Sequence, residues 1–168
     1  MRSQTPFHER PALIGNRLDA EFDDVDPEAK RLWALIIQLS ILFRELNVPK
    51  IKAQGVDLNR GEIIILTALR VDGHPYQLRQ TEITERVQMS SGGVTNTCRS
   101  LNKRGLIERR RDEADSRVTL YSLTPEGVEL INGVIPIIHS TEKQLSTCLN
   151  PVELATLCGY LERLTRQF

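Results

Sequence analysis

The chain has 168 residues, 40% of them hydrophobic, which supports one domain with a real core. Its 22 basic side chains balance 22 acidic ones, and a net charge of zero, taken globally, speaks against a nucleic-acid binder. Three cysteines make no disulfide framework, no stretch approaches the roughly 18 apolar residues of a membrane span, and the N-terminus has no apolar core of signal-peptide type, so the expected compartment is the cytoplasm.

In chain order, residues 1–25 show little periodicity, with Pro6, Pro11 and the acids Glu21, Asp23 and Asp24, and read as an arm that orders only if something packs on it. Asp26-Pro27-Glu28 is a helix start: a capping oxygen, a proline in the first turn and an acid at the positive end. Leu32, Leu35, Ile36, Leu39, Leu42, Phe43 and Leu46 then share one face, which Ile37 and Ile41 widen. That face is too apolar for a lone surface helix and predicts a second buried contact. Pro49 is expected to end the helix at about residue 48. Asn59 and Glu62 form a capping box for a second helix with buried Ile63 to Leu66 and Leu69. A turn at Asp72 to Pro75 leads to a short strand at Tyr76 to Leu78. Two helices follow, at about 80–87 and 91–104, and then strands over Leu106 to Asp112 and Arg117 to Leu123. Thr124-Pro125-Glu126 opens a long helix with Val128, Ile131, Val134, Ile135 and Ile138 inward, and Pro136 is expected to kink it. Asn150-Pro151-Val152-Glu153 caps the last helix, whose stripe is Leu154, Leu157, Leu161 and Leu164. The fold class is therefore mainly α with a small β-hairpin wing.

Two helices joined tightly and followed by a hairpin make a winged helix-turn-helix, which sets one helix in a DNA major groove and a β-ribbon beside it. Charge distribution agrees where total charge does not. Between Arg99 and Arg117, seven bases face four acids, leaving +3 on a protein that is neutral overall.

The order of elements, with long apolar helices on both sides of the winged segment, resembles the MarR family of bacterial transcriptional regulators. The resemblance is carried by Leu-Asn-Arg-Gly-Glu (58–62), Leu-Thr-Ala-Leu-Arg (66–70), Ser-Ser-Gly-Gly-Val-Thr-Asn (90–96), Arg-Gly-Leu-Ile-Glu-Arg (104–109), Asp-Glu-Ala-Asp-Ser-Arg (112–117) and Leu-Thr-Pro-Glu-Gly (123–127). It covers about residues 27–168, read as a single domain with dimerisation helices at about 27–48 and 125–167 and the winged helix at about 58–124. It implies an obligate homodimer whose first, fifth and sixth helices interleave, bound to a double-stranded operator. Thr97 and Ser100 depart from it, standing where related sequences often carry arginine.

Ser90 is the expected N-cap of the reading helix, as a cap alone or as a DNA contact too. Ser91, Gly92 and Gly93 follow. The glycines cost helix propensity, which either a close phosphate or tight packing on the preceding helix explains. Val94, Cys98 and Leu101 face the core at i, i+4, i+7, leaving Thr95, Asn96 and Arg99 outward; Asn and Arg can pair with adenine and guanine edges. Of Arg109, Arg110 and Arg111, alternate ones face opposite sides of a strand, and Arg109 and Arg111 are taken for the DNA side. Asp115 and Arg117 match the family's wing pattern, in which the arginine enters a minor groove and the aspartate orients it; the plain alternative is a surface ion pair.

The resemblance also implies a crevice for a small effector, here a small aromatic or phenolic acid, walled by Trp33, Ile37, Ile41, Ile63 and Ile64 with an arginine or His74 beside them. Trp33 serves equally well as interface packing. No cofactor, metal site or catalytic constellation is expected: His139 and Glu142 are two ligands without a second cluster. Cys98 reads as core, and Cys148 and Cys158 lack a basic neighbour. The rivals to a ligand-released dimeric repressor are a winged helix that binds protein and no DNA, a cysteine-based redox regulator, and an enzyme.

Overall fold

The structure is a computed structural model that describes residues 26–87 and 89–167. The proposed arm at 1–25 lies outside the described residues. The elements are α1 (Pro27–Ala53), α2 (Arg60–Val71), β1 (Gln77–Arg79), α3 (Gln80–Val87), α4 (Ser91–Lys103), β2 (Ile107–Arg111), β3 (Thr119–Leu123), α5 (Pro125–Ser146) and α6 (Pro151–Thr165). They form a mainly helical winged fold with one small antiparallel sheet.

The described residues divide into two compact units, one of 26–50 with 141–167 and one within 51–140, so the division falls inside α1 and inside α5. The second unit holds the core. Ile65, Leu66 and Leu69 of α2, Ile83 of α3, Val94, Cys98 and Leu101 of α4, Ile107 of β2 and Ile131 of α5 are all buried there. The three-stranded sheet runs β1-β3-β2, with Leu78 opposite Tyr121 and Arg109 opposite Tyr121 across β3.

Local chemistry sets the boundaries. Asn59 accepts the Glu62 backbone N–H while Glu62 accepts that of Asn59, a complete capping box at α2; Asn150 and Glu153 repeat it at α6. At the start of α5, Thr124 Oγ1 donates to the Gly105 carbonyl and accepts the Gly127 N–H. Gly127 is required by contact: a Cβ there would lie 2.0 Å from the Leu106 carbonyl oxygen.

Four expectations need correction. Pro49 does not end α1, which runs on to Ala53. Proline removes one donor and crowds the preceding turn, but Ile51 is buried in the core and Lys50 Nζ donates to Thr141 Oγ1 at 3.1 Å, anchoring the turn beyond it. A turn follows Ala53, with Gly55 at φ +74°. Second, α1 is long and apolar enough to cross a membrane by length and composition, with a mean hydropathy of 1.3 in its most apolar window, so the sequence does contain such a stretch. Third, β1 begins at Gln77, after Tyr76 at φ +57°, and β3 begins at Thr119, because Asp112 and Asp115 bend the hairpin tip into turns. Fourth, α4 ends at Lys103, with Arg104 as its C-cap. Along α5 the helix continues through Pro136.

In the first unit, apolar side chains stand bare. Trp33 is 55% exposed and Leu35 53%, with Leu32, Ile37 and Leu39 also exposed along α1. No residue of α6 is buried, and Val152, Leu154, Leu157 and Tyr160 face solvent.

Candidate nucleic-acid interface

The reading helix α4 is built from its cap. Ser90, in extended backbone, accepts the Gly93 N–H with its hydroxyl at 3.1 Å. Val94, Cys98 and Leu101 are fully buried, which turns the opposite face outward. On that face Asn96 and Arg99 are exposed and bonded to each other, Arg99 donating to Asn96 Oδ1 at 3.2 Å. Thr95 is half-buried and holds two bonds, donating to the Ser91 carbonyl and accepting from Gln80 Nε2 of α3. The two glycines differ: a Cβ on Gly93 would press on Ser90 Oγ at 3.1 Å, whereas one on Gly92 would meet nothing within 4 Å.

Thr97 and Ser100 face inward. The Ser100 hydroxyl donates to Glu62 Oε1 at 2.8 Å, and Thr97 Oγ1 lies beside Gly61. Glu62 is 3% exposed and also accepts from Arg104 at 3.2 Å, while Arg104 donates to the Asp57 carbonyl as well. One carboxylate thus ties the first turn of α2 to the last turn of α4. Burial pushes its pKa up, but the Asn59 N–H, the Ser100 hydroxyl and the Arg104 guanidinium together hold it below the ordinary carboxylate value. The capping box made Glu62 visible in sequence; its partners 38 and 42 residues away had no local signal.

In the wing, register alternates the arginines. Arg109 and Arg111 stand opposite Tyr121 and Thr119, on the buried face of β3, while Arg110 stands opposite Leu120 and pairs with Glu108 at 2.7 Å. Tyr121 gathers charge from two elements. It is buried, which raises its pKa along with the nearby Cys98 thiol, and the offsetting charges are Arg109, which hydrogen bonds its side chain, and Arg99 of α4. Arg111 donates to Thr119 Oγ1 at 3.2 Å. At the tip Asp115 Oδ1 accepts both the backbone N–H of Arg117, at 3.0 Å, and its Nε–H, at 3.2 Å. The Arg117 side chain is nevertheless 92% exposed. It is an aimed cation with most of its donors unused.

The effector residues are distributed over both units: Trp33, Ile37 and Ile41 belong to the first, Ile64 and His74 to the second. Ile64 packs against the winged core. His74 lies on an open groove of about 550 Å³ with Pro75, Tyr76, Pro125, Val128 and Asn132. There the Arg70 guanidinium sits 4.9 Å over the Tyr76 ring and donates to Asn132 at 2.8 Å. Burial pushes the Cys98 thiol up to about 12, which keeps it a thiol; Cys148 and Cys158 are exposed.

Comparison with known proteins agrees with this geometry. The HTH-type transcriptional regulator YdgJ of Bacillus subtilis is 28% identical over 97 residues, 58% of this chain, and the chain spans 56% of that protein's length. The transcriptional repressor MprA of Escherichia coli is 28% identical over 137 residues, 81% of this chain and 73% of its own. Among solved structures, a mutant MarR of Escherichia coli complexed with operator DNA superposes with a TM-score of 0.72 at 20% identity, covering 84% of this chain and 99% of the other. PcaV of Streptomyces coelicolor, in complex with its natural ligand, gives 0.70 at 22%, covering 86% and 98%. The model of the MarR family matches residues 56–118, from the approach to α2 to the wing tip. The chain shares the winged helix-turn-helix fold of these structures, and over residues 56–118 it is similar to the MarR family.

Proposed function

We propose that this chain is a DNA-binding transcriptional regulator that works in the cytoplasm as a homodimer, represses from a pseudo-palindromic operator and is released by a small aromatic or phenolic acid. The observation that carries the DNA reading is Arg117, an arginine held by Asp115 on a turn yet 92% exposed. A surface ion pair that served stability alone would contribute about 0–1 kcal/mol. An arginine fixed in direction and left open suits the negative potential of a narrow minor groove. Asn96 and Arg99, exposed on α4, supply side chains for base edges in the adjacent major groove.

The dimer reading rests on the bare apolar faces of α1 and α6 in the first unit, because exposed patches of that kind mark interfaces. A two-fold dimer places its two reading helices about one helical turn of DNA apart, roughly 34 Å. Repression follows the likeness to the repressor MprA, and a bound small effector follows the likeness to PcaV, solved in complex with its natural ligand. A ligand that releases DNA must favour the DNA-incompetent state, and by reciprocity DNA weakens its binding.

The test is retention of genomic fragments by the purified protein, followed by mobility shift with the fragments recovered. Sequence-selective shifts that fall steeply with salt support the reading. A protein that retains no DNA, yet pulls down a protein partner through the winged unit, is an interaction module instead.

A further inference from the structure

Two features of α4 have no use inside the protein as it stands: the outward remainder of Thr95 and the bareness of Gly92. The Thr95 hydroxyl donates to the Ser91 carbonyl at 2.8 Å and accepts from Gln80 Nε2 at 2.9 Å. Its one proton is spent and its oxygen is turned toward its own helix and α3. A threonine bonded to the i−4 carbonyl is fixed at χ1, so the γ-methyl is fixed with it. What Thr95 can offer to something outside is therefore a methyl group.

Gly92 lies three residues earlier and shares this face. Glycine is the poorest helix former after proline. At Gly93 packing explains it, since a side chain would press on Ser90 Oγ; at Gly92 an added Cβ meets open space. Nor does the backbone require glycine there, because the positive-φ glycines are Gly55, Gly73 and Gly105. The room at Gly92 is thus kept on the outer surface, beside Thr95, one turn before Asn96 and two turns before Arg99.

We propose that Gly92 and the Thr95 methyl form an apolar notch that receives the 5-methyl group of one thymine in each operator half-site, and that Gln80 is the positioning residue that turns the Thr95 hydroxyl inward. In the major groove thymine offers an O4 acceptor and this methyl, and an apolar side chain reads the methyl. Asn96 and Arg99 then read polar edges of neighbouring bases. The inference rests on the DNA-binding reading and adds to it a contact that is insensitive to hydrogen bonding.

The experiment uses the full chain and a duplex selected by it from a random library, with each thymine replaced in turn by uracil. Uracil pairs like thymine and lacks only the methyl. Burial of one methyl predicts about a fourfold loss per half-site at one symmetric pair of positions. Thr95→Ser, which keeps the hydroxyl bonds, binds thymine and uracil duplexes equally at those positions and melts like the parent. Gln80→Ala lowers the thymine-over-uracil ratio more than it lowers affinity for the uracil duplex; a purely structural role would weaken both alike. Gly92→Ala loses affinity for the thymine duplex without losing stability. The proposal is overturned if no thymine is sensitive, if Thr95→Ser retains the full uracil penalty, or if Gly92→Ala weakens every sequence equally, the pattern of a phosphate contact. Failure to select any duplex overturns the DNA reading itself, and is distinct from selection of a duplex indifferent to uracil.

Discussion

Replacing Glu62 by alanine removes the acceptor that joins α2 to α4. Three bonds go at once: those from the Asn59 N–H at 2.9 Å, the Ser100 hydroxyl at 2.8 Å and Arg104 at 3.2 Å. Ser100, Arg104 and the N–H of the exposed Asn59 reach water and recover part of their loss. A lost cap is worth about 1 kcal/mol and a bond to a charged partner about 1.5–3 kcal/mol. Their combination gives a destabilisation of about 2–4 kcal/mol, or roughly 5–15 °C in melting temperature for a chain this size. Urea denaturation of parent and variant at equal protein concentration measures it. Glu62→Gln separates charge from shape. The folded pKa is held below the ordinary carboxylate value, so the ionised carboxyl contributes stability that is present above the unfolded value and lost as pH falls through the folded one. The parent should therefore weaken in acid, below about pH 4.5, by more than Glu62→Gln does. A double-mutant cycle with Arg104→Met closes the argument. Loss of less than about 0.5 kcal/mol in Glu62→Ala, or strictly additive effects with Arg104→Met, would refute the idea that this carboxylate ties the two helices.

Other outcomes follow from single contacts. Gly127→Ala forces a Cβ into the Leu106 carbonyl oxygen and should cost about 3 kcal/mol, while Gly92→Ala, in open space, should stabilise by about 1 kcal/mol; thermal melts of the pair check both. Arg117→Ala should weaken DNA binding broadly and most where the flanks are A/T-rich, with a shallower salt dependence in anisotropy titrations. Titration with aromatic acids should quench the exposed Trp33 as it releases DNA; release by peroxide instead, blocked in a Cys148/Cys158 double variant, would replace the ligand by redox control.

Legibility followed sequence separation. The capping boxes at Asn59 and Asn150, the Ser90 cap and the buried Val94, Cys98 and Leu101 were readable because each depends on neighbours within about two turns. Strand alternation likewise separated Arg110 from Arg109 and Arg111. The course of α1 past Pro49 was not readable, since what holds that turn is Thr141, 91 residues away. Ser100 read only as a departure from the family pattern because its partner, Glu62, lies on another helix. Gln80 was invisible for the same reason: a half-buried glutamine at a helix start has no pattern until Thr95 is packed against it. Gly92 and Gly93 looked alike in sequence and part company only when the space around each is known.

The most direct measurement is an anisotropy titration of a selected duplex and of a scrambled duplex of equal composition, with the parent and with an Asn96→Ala/Arg117→Ala double variant, across a salt series. The parent should bind the selected duplex at least about a thousandfold more tightly than the scrambled one, with a stoichiometry of two chains per duplex. The double variant should lose most of that ratio and flatten the salt slope. Equal affinity for both duplexes, or a double variant indistinguishable from the parent, would contradict the account.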